Sequence, residues 1–150
     1  AAEEIVSAAV QKFKKRFPEQ PVSVSVPDEL LMIPMDAILV EQVIINLLEN
    51  AVLHGKTVTK IELSVHRTNA EAVVEVRDNG VGIPEAAFPH LFDGYFRQHD
   101  EQNTDNKRNM GIGLSVCMSI VKAHGGIMEA KNLSEGGALF RFTLPLEEEE

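Results

Sequence analysis

From Asp36 to His54 the chain is apolar almost all the way round a helix, and no other segment restricts the possible folds as much. At about 100° per residue, Ile38, Leu39, Val43, Ile44, Leu47, Leu48, Ala51 and Val52 fill most of the circumference. Gln42, Asn46, Glu49, Asn50 and His54 fall on a single stripe, with Leu53 in its middle. Such a helix belongs inside a layered core, and its polar seam faces a cavity, water or neighbouring loops. Two amides and an acid on a cavity wall can offer oxygens to a hard cation such as Mg²⁺, which fills its other positions with water and phosphate oxygens. Asp36 reads as the N-cap of this helix and Gly55 as its stop.

The remaining segments supply the partner layers. Ile5, Val6, Ala9, Val10, Phe13 and Phe17 recur at helical spacing over residues 2–17, and Pro18 and Pro21 end that helix. Val22, Val24 and Val26 alternate with serines as a half-buried strand, and Leu30 to Ile33 reads as a short further one. Ile61 to His66 and Val74 to Arg77 alternate in the same way. A helix is expected from about Ile112 to His124, stopped by Gly125 and Gly126, followed by strands near Ile127 to Lys131 and Ala138 to Leu144. Between Arg97 and Asn109 lies an apolar-free stretch of the kind found in linkers and lids. The fold class is therefore α+β, a two-layer sandwich with a mixed sheet covered on one face by about three helices.

With 23 acidic against 14 basic residues, the 150-residue chain has a formal charge of −9. Nucleic acid is excluded as a partner, because that calls for clustered Lys and Arg, and the single basic run from Lys12 to Arg16 reads as a solvated helix face. The lone Cys117 excludes an internal disulfide and a multi-cysteine zinc site and fits a reducing, cytoplasmic compartment. No apolar run approaches the ~18 residues of a membrane span. One domain over residues 1–146 with an acidic, solvated tail at Glu147 to Glu150 is the expected organisation.

Two glycine loops carry further chemistry. After a strand the chain reads Asp78, Asn79, Gly80, Val81, Gly82, Ile83, Pro84, which describes an irregular loop leading into a short helix begun at Pro84. Its glycines let backbone approach a ligand closely. Asp78 could accept a hydrogen bond from an exocyclic amine such as that of adenine, or simply cap the turn. The second loop, Asn109, Met110, Gly111, Ile112, Gly113, Leu114, Ser115, is expected to open a helix, whose free N–H groups suit an anion. Val116 stands where a dinucleotide fingerprint needs its third glycine, and the chain contains no Gly-Lys-Ser or Gly-Lys-Thr for a Walker loop.

In this order and spacing, these segments resemble the ATP-binding catalytic domain of sensor histidine kinases, in the Bergerat-fold superfamily shared with gyrase, Hsp90 and MutL. The likeness runs from about Pro27 to Leu146. NLLENAV from Asn46 is similar to the asparagine box, DNGVGIP from Asp78 to the first glycine box, LFDGYFR from Leu91 to the phenylalanine box and GIGLS from Gly111 to the second glycine box. The segments NLLENAV, AHGG and EGGALFRFTLP most resemble Kdp-type, potassium-responsive sensor kinases. The resemblance implies that Asn46 and Asn50 hold Mg²⁺, that Asp78 binds the adenine amine of ATP, and that Gly80, Gly82 and Ile83 shape its pocket. It implies phosphate contacts from Gly111, Ile112, Gly113 and Leu114, a nucleotide neighbour in His54, a γ-phosphate ligand in Arg97, and weaker help from Lys107 and Arg108. Asn46, Glu49 and Arg97 are the catalytic candidates.

Two positions depart from the pattern: Leu53 stands where the family usually has Lys, and Asn109 where it usually has Gly. Losing one phosphate-facing charged hydrogen bond costs ~1.5–3 kcal/mol. In hydrolysing relatives a water-activating Glu lies one turn before the second asparagine, and here that place is Asn46, so attack by water is expected to be slow. His66, His90, His99 and His124 each lack the setting of a phosphoacceptor. The implied partners are an upstream dimerisation hairpin carrying the acceptor histidine and a response-regulator receiver domain. The full-length protein is expected to be a membrane-anchored homodimer, and this domain alone a monomer. The alternatives are a nucleotide-binding regulatory module with little transfer activity, or an ATPase of the same superfamily.

Overall fold

The structure, a computed structural model, describes residues 1–55, 58–92 and 105–146, with backbone alone at 55 and 105–112. Helix α1 (Ala2–Arg16) buries Ala2, Val6, Ala9 and Phe13 on one face. Glu3 and Glu4 in its first turn and Lys14, Lys15 and Arg16 in its last complement the helix dipole. Helix α2 (Ala37–Gly55) starts where Asp36 Oδ1 accepts the Leu39 N–H at 3.2 Å, the expected N-cap, and includes Gly55 as its last residue. By length and composition α2 could cross a membrane, its Ala37–His54 window having a mean hydropathy of 1.3. The expectation that no segment is apolar enough is therefore too strong. In this fold α2 is the core helix, packed between α1 and a third helix against the sheet, with Val43, Ile44, Leu47 and Leu48 buried.

Among the described residues five strands form one mixed sheet: β1 (Val22–Ser25), β2 (Ile61–Arg67), β3 (Glu71–Asp78), β4 (Met128–Asn132) and β5 (Ala138–Pro145), in the order β1-β2-β3-β5-β4. The β1 and β2 strands are parallel and all other neighbours antiparallel. The register aligns Leu63, Val76 and Phe140 in one core row and Val65, Val74 and Phe142 in the next. That face meets the three helices, as expected. The other face carries Glu75, which pairs with Arg77 at 3.0 Å and Arg141 at 3.6 Å, and Arg141 also reaches Glu129 at 3.2 Å. Half-exposed pairs of this kind contribute about 0–1 kcal/mol each.

Two expectations fail for physical reasons. Leu30 to Ile33 is not a strand. Leu31 alone among its first three residues is buried, and its carbonyl accepts the Ala2 N–H at 2.9 Å, so this backbone caps α1 instead of joining the sheet. Helix α3 spans Asp105–Ala123, starting seven residues before the expected Ile112. Asp105 suits a helix start, Lys107, Arg108 and Met110 are good helix formers, and each interior glycine costs only about 1 kcal/mol. Gly111 and Gly113 therefore lie inside the helix, where amides donate to carbonyls four residues back. They do not form the open helix start on which their anion-binding role was premised. The expected stop is present, with Gly125 at φ 82° and the Gly126 N–H bonded to Val121 O at 2.9 Å. The tail at 147–150 and most of the lid, 97–104, lie outside the described residues.

Candidate functional site

The polar seam of α2 opens onto a cleft of about 330 Å³ between α1, α2 and α3, walled by Asn46, Glu49, Asn50, Leu53 and His54 with Gly113 and Leu114 opposite. Next to it, a slot between α2 and the sheet is lined by Asn50, His54, Asp78, Gly82, Ile83 and Phe140. Asn50 and His54 border both spaces. The slot has a volume of about 20 Å³, room for roughly one water.

The two asparagines differ in state. Asn46 Oδ1 accepts Gln42 Nε2 at 2.8 Å, and Asn46 Nδ2 donates to Cys117 Sγ at 3.7 Å, so its amide is oriented. Burial pushes the Cys117 thiol up to about 12, opposed by the Asn46 bond, which keeps it a neutral packing group. Asn50 is only 8% exposed, and its buried Oδ1 has no hydrogen-bond partner among the described residues. An unpaired buried acceptor costs about 1–3 kcal/mol, and a cation ligand would relieve it. Among the described residues no three His, Cys, Asp or Glu side chains converge on one point. The amide oxygens of Asn46 and Asn50 are donors of the kind a hard cation takes when it completes its shell with water and phosphate.

Asp78 ends β3 with 8% exposure. Its Oδ1 accepts the Gly80 N–H at 2.8 Å and the Ala138 N–H at 3.4 Å. Among the described residues no donor to its Oδ2 is present. Burial raises the carboxyl above its ordinary 3.8, and the two amides oppose the rise. The following loop is pinned at both ends. Asn79 Oδ1 accepts the Thr59 and Lys60 amides at 3.0 and 3.1 Å, while Asn132 accepts the Ile83 N–H at 2.7 Å and donates to Ile83 O at 2.9 Å.

Close approach explains two glycines. At Gly82, φ is 86° and a Cβ would stand 2.8 Å from Asn132 Oδ1; at Gly137, φ is 93° and a Cβ would collide with the Asp78 carbonyl oxygen. Left-handed strain of about 1–2 kcal/mol adds to overpacking of about 1–3 kcal/mol. Gly137→Ala is thus expected to lose about 3 kcal/mol of stability in denaturant unfolding and to displace Asp78.

The structure gathers Asn46, Glu49, Asn50, His54, Gly113 and Leu114 at the cleft and Asp78, Gly82 and Ile83 at the slot, with Gly80 bonded to Asp78. Gly111 and Ile112 lie on the same helix one to two residues before Gly113. Arg97 lies outside the described residues. Leu53, the departure from the family pattern, also lines the cleft. Sequence reasoning missed Arg16, which lines the cleft and pairs with Glu49 at 3.3 Å, and the Asn132 clasp. A basic residue in a helix's last turn looked solvated, and an Asn on a strand carries no signal of its own.

Residues 35–148 match the family described as histidine kinase-, DNA gyrase B- and HSP90-like ATPase. The sensor protein KdpD of Clostridium acetobutylicum is 44% identical over 97% of this chain, which spans only 16% of that protein's length. The nucleotide-free catalytic domain of the histidine kinase ThkA superposes with a TM-score of 0.78 at 25% identity, covering 97% of this chain and 94% of that one. ThkA in complex with the response regulator TrrA gives 0.75 at 24% identity, covering 97% of this chain and 40% of that one. The chain accordingly belongs to the histidine kinase, gyrase B and HSP90-like ATPase family and has the fold of a histidine kinase catalytic domain.

Proposed function

We propose that this domain, residues 1–146, binds ATP with Mg²⁺ and transfers the γ-phosphoryl group to a histidine on an adjacent helical hairpin. The observation that carries this is the buried, unpartnered Asn50 Oδ1 beside Asn46, at the junction between the cleft and the Asp78 slot. Asn46 and Asn50 would hold Mg²⁺, whose charge offsets that of the phosphates. Asp78 Oδ2 would accept the adenine amine, with Gly80, Gly82 and Ile83 shaping the base site and His54 flanking it. Gly111, Ile112, Gly113 and Leu114 would border the phosphates, and Arg97 would approach the γ-phosphate from the lid.

Phosphoryl transfer depends mainly on positioning and charge neutralisation, which the cleft would supply with Mg²⁺ bound. Asn46 stands one turn before Asn50, and an amide cannot take a proton from water. A neutral imidazole needs no such help to attack. A receiver domain would then take the phosphoryl group, in keeping with the ThkA–TrrA complex. The whole protein would be a membrane-anchored dimer with this domain on the cytoplasmic side.

Mixing the domain with a dimerisation hairpin and γ-labelled ATP tests the transfer. Acid-labile label on the hairpin histidine is expected. Label-free hairpin despite bound nucleotide would favour the regulatory module, which Leu53 in the cleft also suits, and rapid phosphate release would favour an ATPase.

A further inference from the structure

Among its described lining residues the cleft is poor in positive charge for a polyanion. Its walls bring two asparagine amides, the Glu49 carboxylate and the aliphatic Leu53, and of its described lining residues only Arg16 carries a permanent cation. Arg16 is the last residue of α1. Buried Phe13 stacks on Phe17 at 5.3 Å, and the Arg16 guanidinium lies 5.2 Å from the Phe17 ring centroid. Its Nη1 donates to Glu49 Oε1 at 3.3 Å, while 57% of its side chain is exposed. Among the described residues no other group bonds the guanidinium N–H donors, and an arginine fork can bind phosphate oxygens bidentately.

We propose that Arg16 is a nucleotide-binding residue: held at the mouth of the cleft by Glu49 and the Phe17 ring, it grips the polyphosphate and supplies the cation that Leu53 does not. The proposal rests on the cleft being a Mg-nucleotide site. It makes α1 a wall of that site and gives Glu49 the role of positioning Arg16.

Titrations with Mg-ATP and with adenosine on wild type, Arg16→Ala, Arg16→Lys and Arg16→Ala/Glu49→Gln test it. Arg16→Ala is expected to weaken Mg-ATP about tenfold and leave adenosine unchanged. Arg16→Lys should recover part of the loss, and the double variant should stay weak. Equal Mg-ATP affinity in Arg16→Ala would overturn the proposal, as would a parallel loss of adenosine binding, which marks a structural effect. So would full recovery in the double variant, which traces the loss to an uncovered Glu49 carboxylate. Failure of the underlying site looks different: wild type would not bind Mg-ATP, or Asn50→Ala would bind it unchanged.

Discussion

Asn50→Ala is expected to bind Mg-ATP at least about a hundredfold more weakly than wild type while folding at least as well. Removing even an outer-shell partner of a metal costs about 10–100-fold in affinity, and Asn50 is proposed as a direct ligand. An ordinary buried polar residue behaves oppositely, because truncating it strands its partner. Here the buried Asn50 Oδ1 has no partner among the described residues, so the truncation removes an unpaired acceptor. That relief, about 1–3 kcal/mol, offsets the small void left behind. In a domain of this size 1 kcal/mol moves Tm by about 2–4 °C, so calorimetric melting and nucleotide titration on the same sample read the two effects together. A large fall in Tm would make Asn50 structural.

Asp78→Asn has the second largest expected effect, again with binding and stability moving apart. The new side chain can keep its oxygen on the Gly80 and Ala138 amides. Its nitrogen then replaces Oδ2 and sets a donor against that of the adenine amine proposed to bind there. Losing a charged hydrogen bond and burying two unmatched donors costs about 3 kcal/mol or more, about a hundredfold in ATP affinity. Stability should shift the other way. Burial holds the Asp78 carboxyl above 3.8 in the folded protein, so ionising it costs the fold. That cost is absent well below 3.8 and complete above the raised folded value. The variant should therefore be the more stable at neutral pH, and its advantage should vanish at about pH 3. Denaturant unfolding at both pH values checks the sign.

How much was legible in advance depended on whether local pattern or distant contact decided a feature. The α2 seam was readable because a 3.6-residue period alone puts Gln42, Asn46, Glu49, Asn50 and His54 on one side, and the cleft lies there. The strands and the one-sided sheet followed from alternation of period two. Asn132 was invisible because its partner, Ile83, is 49 residues away and joins it only once β4 reaches the sheet edge. Arg16 was misread for a similar reason, its partner Glu49 lying 33 residues on. The start of α3 was misplaced because glycine was taken as a boundary, whereas its cost of about 1 kcal/mol is small beside the good helix formers preceding it. Leu30 to Ile33 looked like a strand by composition, but Leu31's carbonyl was needed at the start of α1.

The acidic charge of −9 gains meaning from this site. A domain with that field cannot attract a polyphosphate at long range, so on the function proposed above binding would come from local cations: Mg²⁺ on the two asparagines, the Arg16 guanidinium and Arg97 of the lid. Titrating the wild-type domain with ATP, once with Mg²⁺ and once with excess chelator, tests this directly. One-site binding that weakens more than about tenfold when the metal is withheld is the predicted result; equal affinity under both conditions, or no binding with Mg²⁺ present, would contradict it.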